Sequence, residues 1–434
     1  MSTSSYDAHD LVVAGFGPSG IALAAAVEDH DDAHGGVLDA RYLEKAPDSA
    51  WQPNLVLPGT DIQHHFLRDF ATPRDPRSRF GFPSYLHQTG RFYPFTLMGG
   101  YPSRLEWSDY VQWAAGQVRG QVDYHREVLS VEPVVGDDGR VLSARVVSRD
   151  PRDGSLHTVE GRNIALATGH EAYVPEVFRP ALGERVFHAS KLLPSLAALG
   201  QPARVAVIGA GQTAGEIVLH LAGQNPDAHI HSLVRHAGFR MYELGHFSNE
   251  VYFPDETDYF YALGDEERER ALDQARATNY AAVDPDVSTG LYQAVYQDRL
   301  TGRHRLHMHR RTDVREVQQA GDVVRLHTEE VFTGERSVIE ADAVIVCTGY
   351  REAAFPRQLE AFKPYLTFDA QGRPDVTRAY RAETTDDCEV GLYLDGLTEW
   401  RHGIGSATSF SQMAAKADTI HRDLRSRLRQ PVAA

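Results

Sequence analysis

DLVVAGFGPSG, residues Asp10 to Gly20, decides the fold. Its first half is a short valine-rich run of the kind that forms a parallel strand buried on both faces. Its second half places Gly15, Gly17 and Gly20 around Phe16, Pro18 and Ser19, and leads into an alanine-rich helix over Ile21 to Glu28. Glycine suits this turn because the backbone must bend tightly, approach a pyrophosphate closely and let the helix pack on the strand. A second strand, Arg41 to Glu44, ends in an acid suited to accept hydrogen bonds from ribose hydroxyls, with Lys45 beside it. Strand, turn, helix and acid together predict a dinucleotide site.

The pattern returns at Arg204 to Gly215, where the strand Val205 to Ile208 meets Gly209, Gly211, Gln212, Thr213 and Ala214. Ala214 holds the usual third-glycine position, where alanine is permitted, and Gly215 falls one place late. The helix is expected over Glu216 to Ala222 and the next strand over Ile230 to Val234. Arg235 then stands where an NAD site presents an acid, and a cation there accommodates the 2'-phosphate of NADPH. Strands over Asn163 to Ala167 and Ala343 to Cys347 each end in a Thr-Gly pair, the second being Thr348 and Gly349. The repeat predicts an α/β protein with two Rossmann-like dinucleotide-binding domains, the second inserted into the first. The first domain occupies 1–200. The NADPH-binding domain occupies 201–340, with a substrate-binding insertion near 240–300, and 341–434 returns to the first domain and ends in a helix over Gln412 to Arg429.

Between the strands, Trp51 to Tyr101 is rich in Pro, Gly, His and Arg and reads as long irregular structure lining a site. A helix is expected over Leu105 to Arg119, and strands around Val128 to Val147 with a turn at Gly136 to Gly139. Tyr242 to Thr301 reads as mixed, with a helical centre near Glu266 to Ala277.

A chain of 434 residues with 42% hydrophobic and 24% charged content is expected to form two or three globular domains. No run approaches the 18 apolar residues of a membrane span, and the polar first ten residues lack the core of a secretory signal. The two cysteines, Cys347 and Cys388, form no disulfide framework and no C-x-x-C redox pair, which argues against disulfide-reductase chemistry. A cytoplasmic protein is expected. Net charge −16 argues against nucleic-acid and anionic-membrane partners. His64-His65 and His307-x-His309 lack the rest of a ligand set, so no metal is expected.

Taken together, these residues resemble the flavin-dependent N-hydroxylating monooxygenases, best known as ornithine and lysine N-monooxygenases. The resemblance spans nearly the whole chain. It rests on F-G-P-S at Phe16, F-L-R-D at Phe66, R-D-P at Arg74, G-Q-T-A at Gly211, S-N-E-V at Ser248, T-N-Y at Thr278 and D-A-V-I-V-C-T-G-Y at Asp342. It implies FAD in the first site, NADPH in the second, and oxygen activated as a C4a-hydroperoxyflavin that hydroxylates an unprotonated amine. Trp51 and Gln63 resemble residues lining the flavin, and Gln212 the glutamine that holds nicotinamide and flavin in place. Asn249 resembles a substrate contact, Asn279 and Tyr280 the pair touching substrate and NADP+, and Ser411 the serine before the final helix. A homo-oligomer, a dimer or tetramer, is expected, with a small amino acid and O2 as its other partners.

Arg68 stands where the family's F-L-K-D places a carboxylate-binding lysine, His64 and His65 replace small or neutral residues, and His402 to Ser411 lacks the family's S-D-T. An arginine fork suits a carboxylate. A pocket combining Arg68, His64, His65 and Arg240 would be strongly cationic, which favours L-aspartate, hydroxylated on its α-amine and open to oxidation as far as nitrosuccinate. L-ornithine or L-lysine is the alternative, and a non-catalytic dinucleotide-binding sensor the alternative of another class.

Overall fold

The computed structural model describes residues 8–407 and 409–429. Leu11–Ala14 forms the centre of a five-stranded parallel sheet in the order Gly391–Leu394, Asn163–Leu166, Leu11–Ala14, Ala40–Leu43, Gln121–Asp123. All four of its residues are fully buried, as a strand covered on both faces requires. A second five-stranded parallel sheet runs Leu306–Arg310, His229–Val234, Arg204–Ile208, Ala343–Val346, Val186–His188. Two of these strands lie outside 201–340, because Val186–His188 completes the sheet by pairing with Ala343–Val346. Antiparallel meanders, Glu127–Gly161 and Thr312–Ala341, accompany the two sheets.

The first glycine turn feeds the helix Pro18–His34, whose buried run Gly20 to Glu28 packs with Ile420 and Leu424 of the final helix Met413–Leu428. This helix starts earlier than its alanine-rich core suggested because Pro18 occupies the first turn, where a missing N–H costs nothing. It stops at Gly35, where φ is +66°.

The segment 51–101 is not wholly irregular: Phe82–Gln88 and Phe92–Phe95 are helical. Phe82 and Tyr85 join Trp107 and Tyr110 of the helix Arg104–Gln117 in a fully buried aromatic cluster. Likewise 242–301 holds the helices Pro254–Ala262 and Pro285–Leu300 beside the expected Asp265–Ala275. Gly215 explains itself against Pro285–Leu300: a Cβ there would lie 2.7 Å from Val287 Cγ1 and 3.3 Å from Leu291 Cδ1. Its glycine permits helix packing and leaves the nucleotide turn to its neighbours.

The chain crosses between the units twice, and the crossings lie side by side. Glu171–Ala172 pairs antiparallel with Tyr350–Arg351, each just beyond a positive-φ glycine, Gly169 or Gly349.

Candidate functional site

Both glycine turns open onto one cavity of about 1870 Å³. At the first turn Gly15 adopts φ +105°, and a Cβ there would meet Ala167 O at 2.3 Å. A Cβ on Gly20 would meet Gly15 O at the same distance, so Gly20 holds the helix onto the turn and does not line the cavity. Gly17 differs: a Cβ there meets nothing within 4 Å, and the residue caps a 17-residue helix N-terminus. The space in front of Gly17, Pro18 and Ser19 is therefore empty of protein and faced by unpaired amides, which suits a pyrophosphate. Glu44 lines the same end. It accepts from Phe16 N at 2.7 Å and Ala46 N at 2.8 Å, bracing the turn and leaving lone pairs for a ribose. Lys45 and Trp51 also line this wall, Trp51 edge-on to Phe410.

The second turn repeats the logic. Gly209, at φ +143°, would collide with Cys347 O at 2.4 Å if it carried a Cβ, whereas Gly211 meets nothing within 4 Å and caps the helix Gln212–Gln224. Thr213 lies in that helix's first turn, and Arg235 reaches the cavity rim, exposed and without an acidic partner among the described residues. Thr348 donates its hydroxyl to Tyr173 O, and Gly349 O accepts from His188 Nε2 at 3.1 Å, which shapes the wall between the turns.

Between the nucleotide ends sit Gln63, His64, Arg68, Asn249, Asn279, Tyr280 and Ser411. Arg68 Nη1 donates to Ser411 Oγ at 3.0 Å, and its guanidinium lies 5.9 Å from the centre of the Phe253 ring. No acidic side chain among the described residues pairs with it. Asn249 donates to Gly245 O at 3.2 Å, and Tyr280 donates to the Glu399 carboxylate while Arg276 stacks 5.3 Å from its ring.

The strongly cationic pocket expected from the sequence is not formed. His64 is wedged against Trp107 and Phe410 and donates Nδ1–H to His65 O. Burial pushes this imidazole down to about 4, so it is neutral near pH 7. His65 turns outward over Phe66 and Tyr101, and Arg240 is exposed; neither lines the cavity. Of the four expected cations only Arg68 remains.

The profile of the family described as L-lysine 6-monooxygenase/L-ornithine 5-monooxygenase matches residues 7–352. The chain belongs to that family. An L-ornithine N(5)-monooxygenase of Pseudomonas aeruginosa is 33% identical over 100% of this chain and 97% of its own length. The reduced ornithine hydroxylase structure from that organism superposes with a TM-score of 0.92, covering 97% of this chain and all of its own. The ornithine N-hydroxylase of Kutzneria sp. 744, solved with reduced FAD, NADP+ and L-ornithine, is 31% identical over 97% of this chain and 100% of its own, with a TM-score of 0.91. L-lysine 6-monooxygenase from Pseudomonas syringae is 40% identical over the same shares, with a TM-score of 0.87.

As a member of this family the protein is a flavin-dependent N-hydroxylating monooxygenase. The cavity fits the family's cofactors on its own evidence, through the two open glycine cradles and through residues that local pattern did not reveal. Asp395, at the end of the strand Gly391–Leu394, is 1% exposed and lies 3.0 Å from Lys416 Nζ, yet its Oδ2 has no hydrogen-bond partner. A buried carboxylate in the cavity wall with an unpartnered oxygen suits a hydroxyl donor of the flavin's sugar chain. The signal was an acid directly after a buried parallel strand, as at Glu44. Arg104 also lines the cavity, paired behind it with Glu216 of the other unit.

Proposed function

We propose that this protein uses FAD and NADPH to hydroxylate the terminal amine of a small diamino acid, L-ornithine first, whose carboxylate Arg68 holds. The observation that carries this reading is Arg68 itself, a guanidinium inside the cavity, steadied by Ser411 and matched to no acid. Its planar fork can take a carboxylate through two hydrogen bonds. Relatives named for ornithine and lysine support the amine class. Aspartate would bring a second carboxylate, and the cations expected to receive it are a neutral His64 and two side chains outside the cavity.

Gly17 and Glu44 would hold FAD at the first turn, and Gly211, Thr213 and Arg235 NADPH at the second. Bound flavin, once reduced, supplies the activation of oxygen. The protein's task is orientation: Arg68 fixes one end of the substrate, and Asn249 and Asn279 offer neutral amides along its length. The reacting amine must arrive without its proton, because its lone pair forms the N–O bond, whereas in water such an amine titrates near 10.4. Burial in the cavity favours the free amine.

The test is mass spectrometry of products from ornithine, lysine and aspartate with NADPH and oxygen, for wild type and Arg68→Ala. Hydroxyornithine is expected. Losing one charge-assisted partner of a bound carboxylate costs about 2–5 kcal/mol, so Arg68→Ala should raise the ornithine KM by about 30- to 4000-fold. Hydroxylation of aspartate with none of ornithine would overturn the substrate, and no N-hydroxylated product from any amine would overturn the proposal.

A further inference from the structure

Gln212 follows the second glycine turn and is 7% exposed, with its amide committed on both sides. Asp284 N–H donates to its Oε1 at 2.8 Å, so the amide nitrogen must point the other way, where it donates to Glu216 Oε1 at 3.0 Å. Glu216 lies one helical turn further on the same face. Its second partner comes from the other dinucleotide unit: Arg104 Nη2 donates to the same carboxylate at 3.0 Å. Arg104 Nε donates to Asp61 O at 3.2 Å, and two residues along that segment Gln63 donates to Asp284 Oδ2 at 2.9 Å. The hydrogen bonds therefore close a ring, Asp61–Arg104–Glu216–Gln212–Asp284–Gln63, that passes twice between the units.

Arg104 and Glu216 are 8% and 4% exposed. A buried ion pair contributes little net stability over apolar residues of similar size, but it fixes geometry, and breaking it leaves a charge unpaired. Here the fixed geometry is that of a side chain in the cavity. Gln212 Nε2 carries two hydrogens and spends one on Glu216, which leaves the other for an acceptor such as a carboxamide oxygen.

We propose that Arg104 and Glu216 are positioning residues for the nicotinamide cofactor: they set the amide of Gln212 toward it and register the second unit's nucleotide against the first unit's flavin. The inference is independent of which amine is the substrate. Glu216 faces Arg104, Asp61, Asp284 and Tyr242, with Asp286 beyond them against Asp61, and burial pushes it up to about 7. Ionised Glu216 gives Gln212 a charge-assisted partner, so cofactor binding should tighten as pH rises through 7.

The experiment uses the full-length FAD-loaded protein and reads NADP+ affinity from flavin absorbance, anaerobic flavin reduction by NADPH, FAD content and melting temperature. Glu216→Leu and Arg104→Met should weaken NADP+ binding at least tenfold and slow reduction while FAD stays bound. Glu216→Gln keeps an acceptor for both donors, so it should bind NADP+ like wild type below pH 7 and lose the pH dependence. Unchanged NADP+ affinity in the folded leucine and methionine variants would overturn the proposal, as would parallel loss of FAD, which would assign the ring to structure alone. Should those variants fail to fold, Glu216→Gln decides: a wild-type pH profile in it overturns the proposal.

Discussion

Alanine at Gly17 should separate what the protein needs from what its ligand needs. Gly17 has φ −78° and ψ −166°, a conformation open to any residue, and its missing Cβ faces empty space. In the flavin-free protein Gly17→Ala should therefore cost about 1 kcal/mol at most, the preference for glycine over alanine at a helix cap. Gly20→Ala is the opposite case, placing a Cβ 2.3 Å from Gly15 O in a fully packed turn; the backbone must move, and a loss above about 4 kcal/mol is expected. With FAD the order changes. The new methyl at position 17 stands where a pyrophosphate approaches the helix amides, and displacing one or more hydrogen bonds to a charged group costs about 1.5–3 kcal/mol each. FAD affinity should fall by about 10- to 150-fold per bond lost. Titrating apoprotein with FAD by fluorescence, beside thermal melts of the same apoproteins, reads both quantities. Wild-type FAD affinity in Gly17→Ala would refute the cradle, and an apoprotein as unstable as Gly20→Ala would refute the claim that the space is empty of protein.

Arg235→Ala should raise the KM for NADPH by about 10- to 150-fold, one charge-assisted contact to the 2'-phosphate, while leaving NADH kinetics nearly unchanged; equal loss with both would show that Arg235 acts on the fold. Glu352 is pushed up to about 8 by burial and by the neighbouring Glu399 charge. A raised acid contributes stability that is fully present below its unfolded value near 4.5 and is lost as pH climbs through 8. Glu352→Gln should therefore gain in melting temperature relative to wild type between pH 5 and 8 and level off above; a constant difference across that range would contradict the assignment.

The sequence disclosed the parts of the site whose geometry is local. Gly15, Gly17, Glu44, Gly209 and Gly211 follow from backbone rules that act within a turn or at a strand end, and each lies where those rules place it. Side-chain direction in irregular segments was beyond such rules. His64 and His65 are neighbours in sequence, yet one is pressed between aromatic rings and the other faces out, because Trp107 and Phe410 arrive from distant segments. Arg240 failed for the same reason, its backbone tied to Val283 and its side chain left in solvent. The helix Pro285–Leu300 lay inside a stretch read only as mixed, although a proline suits a helix's first turn and Val287 and Leu291 stand one turn apart. Arg104 pairs with Glu216 across 112 positions, a separation that no window along the chain can see.

The paired crossings at Glu171–Ala172 and Tyr350–Arg351 make the second unit a cassette in the topological sense. Its five sheet strands all fall between the crossings, and the five of the first sheet all fall outside them. Because entry and exit run shoulder to shoulder, the gap left by lifting the cassette out could be closed by a short turn, at little chain-entropy cost. Leu55 and Leu57 are outer residues seated in the cassette's own core beside Leu192 and Ile217, and the bonds Arg104–Glu216, Gln63–Asp284 and Tyr280–Glu399 tie the units together as well. A nicotinamide-binding module could thus be acquired, exchanged or shed by a flavin-binding ancestor without rethreading its sheet, with those leucines and polar bonds as the stitches to be remade.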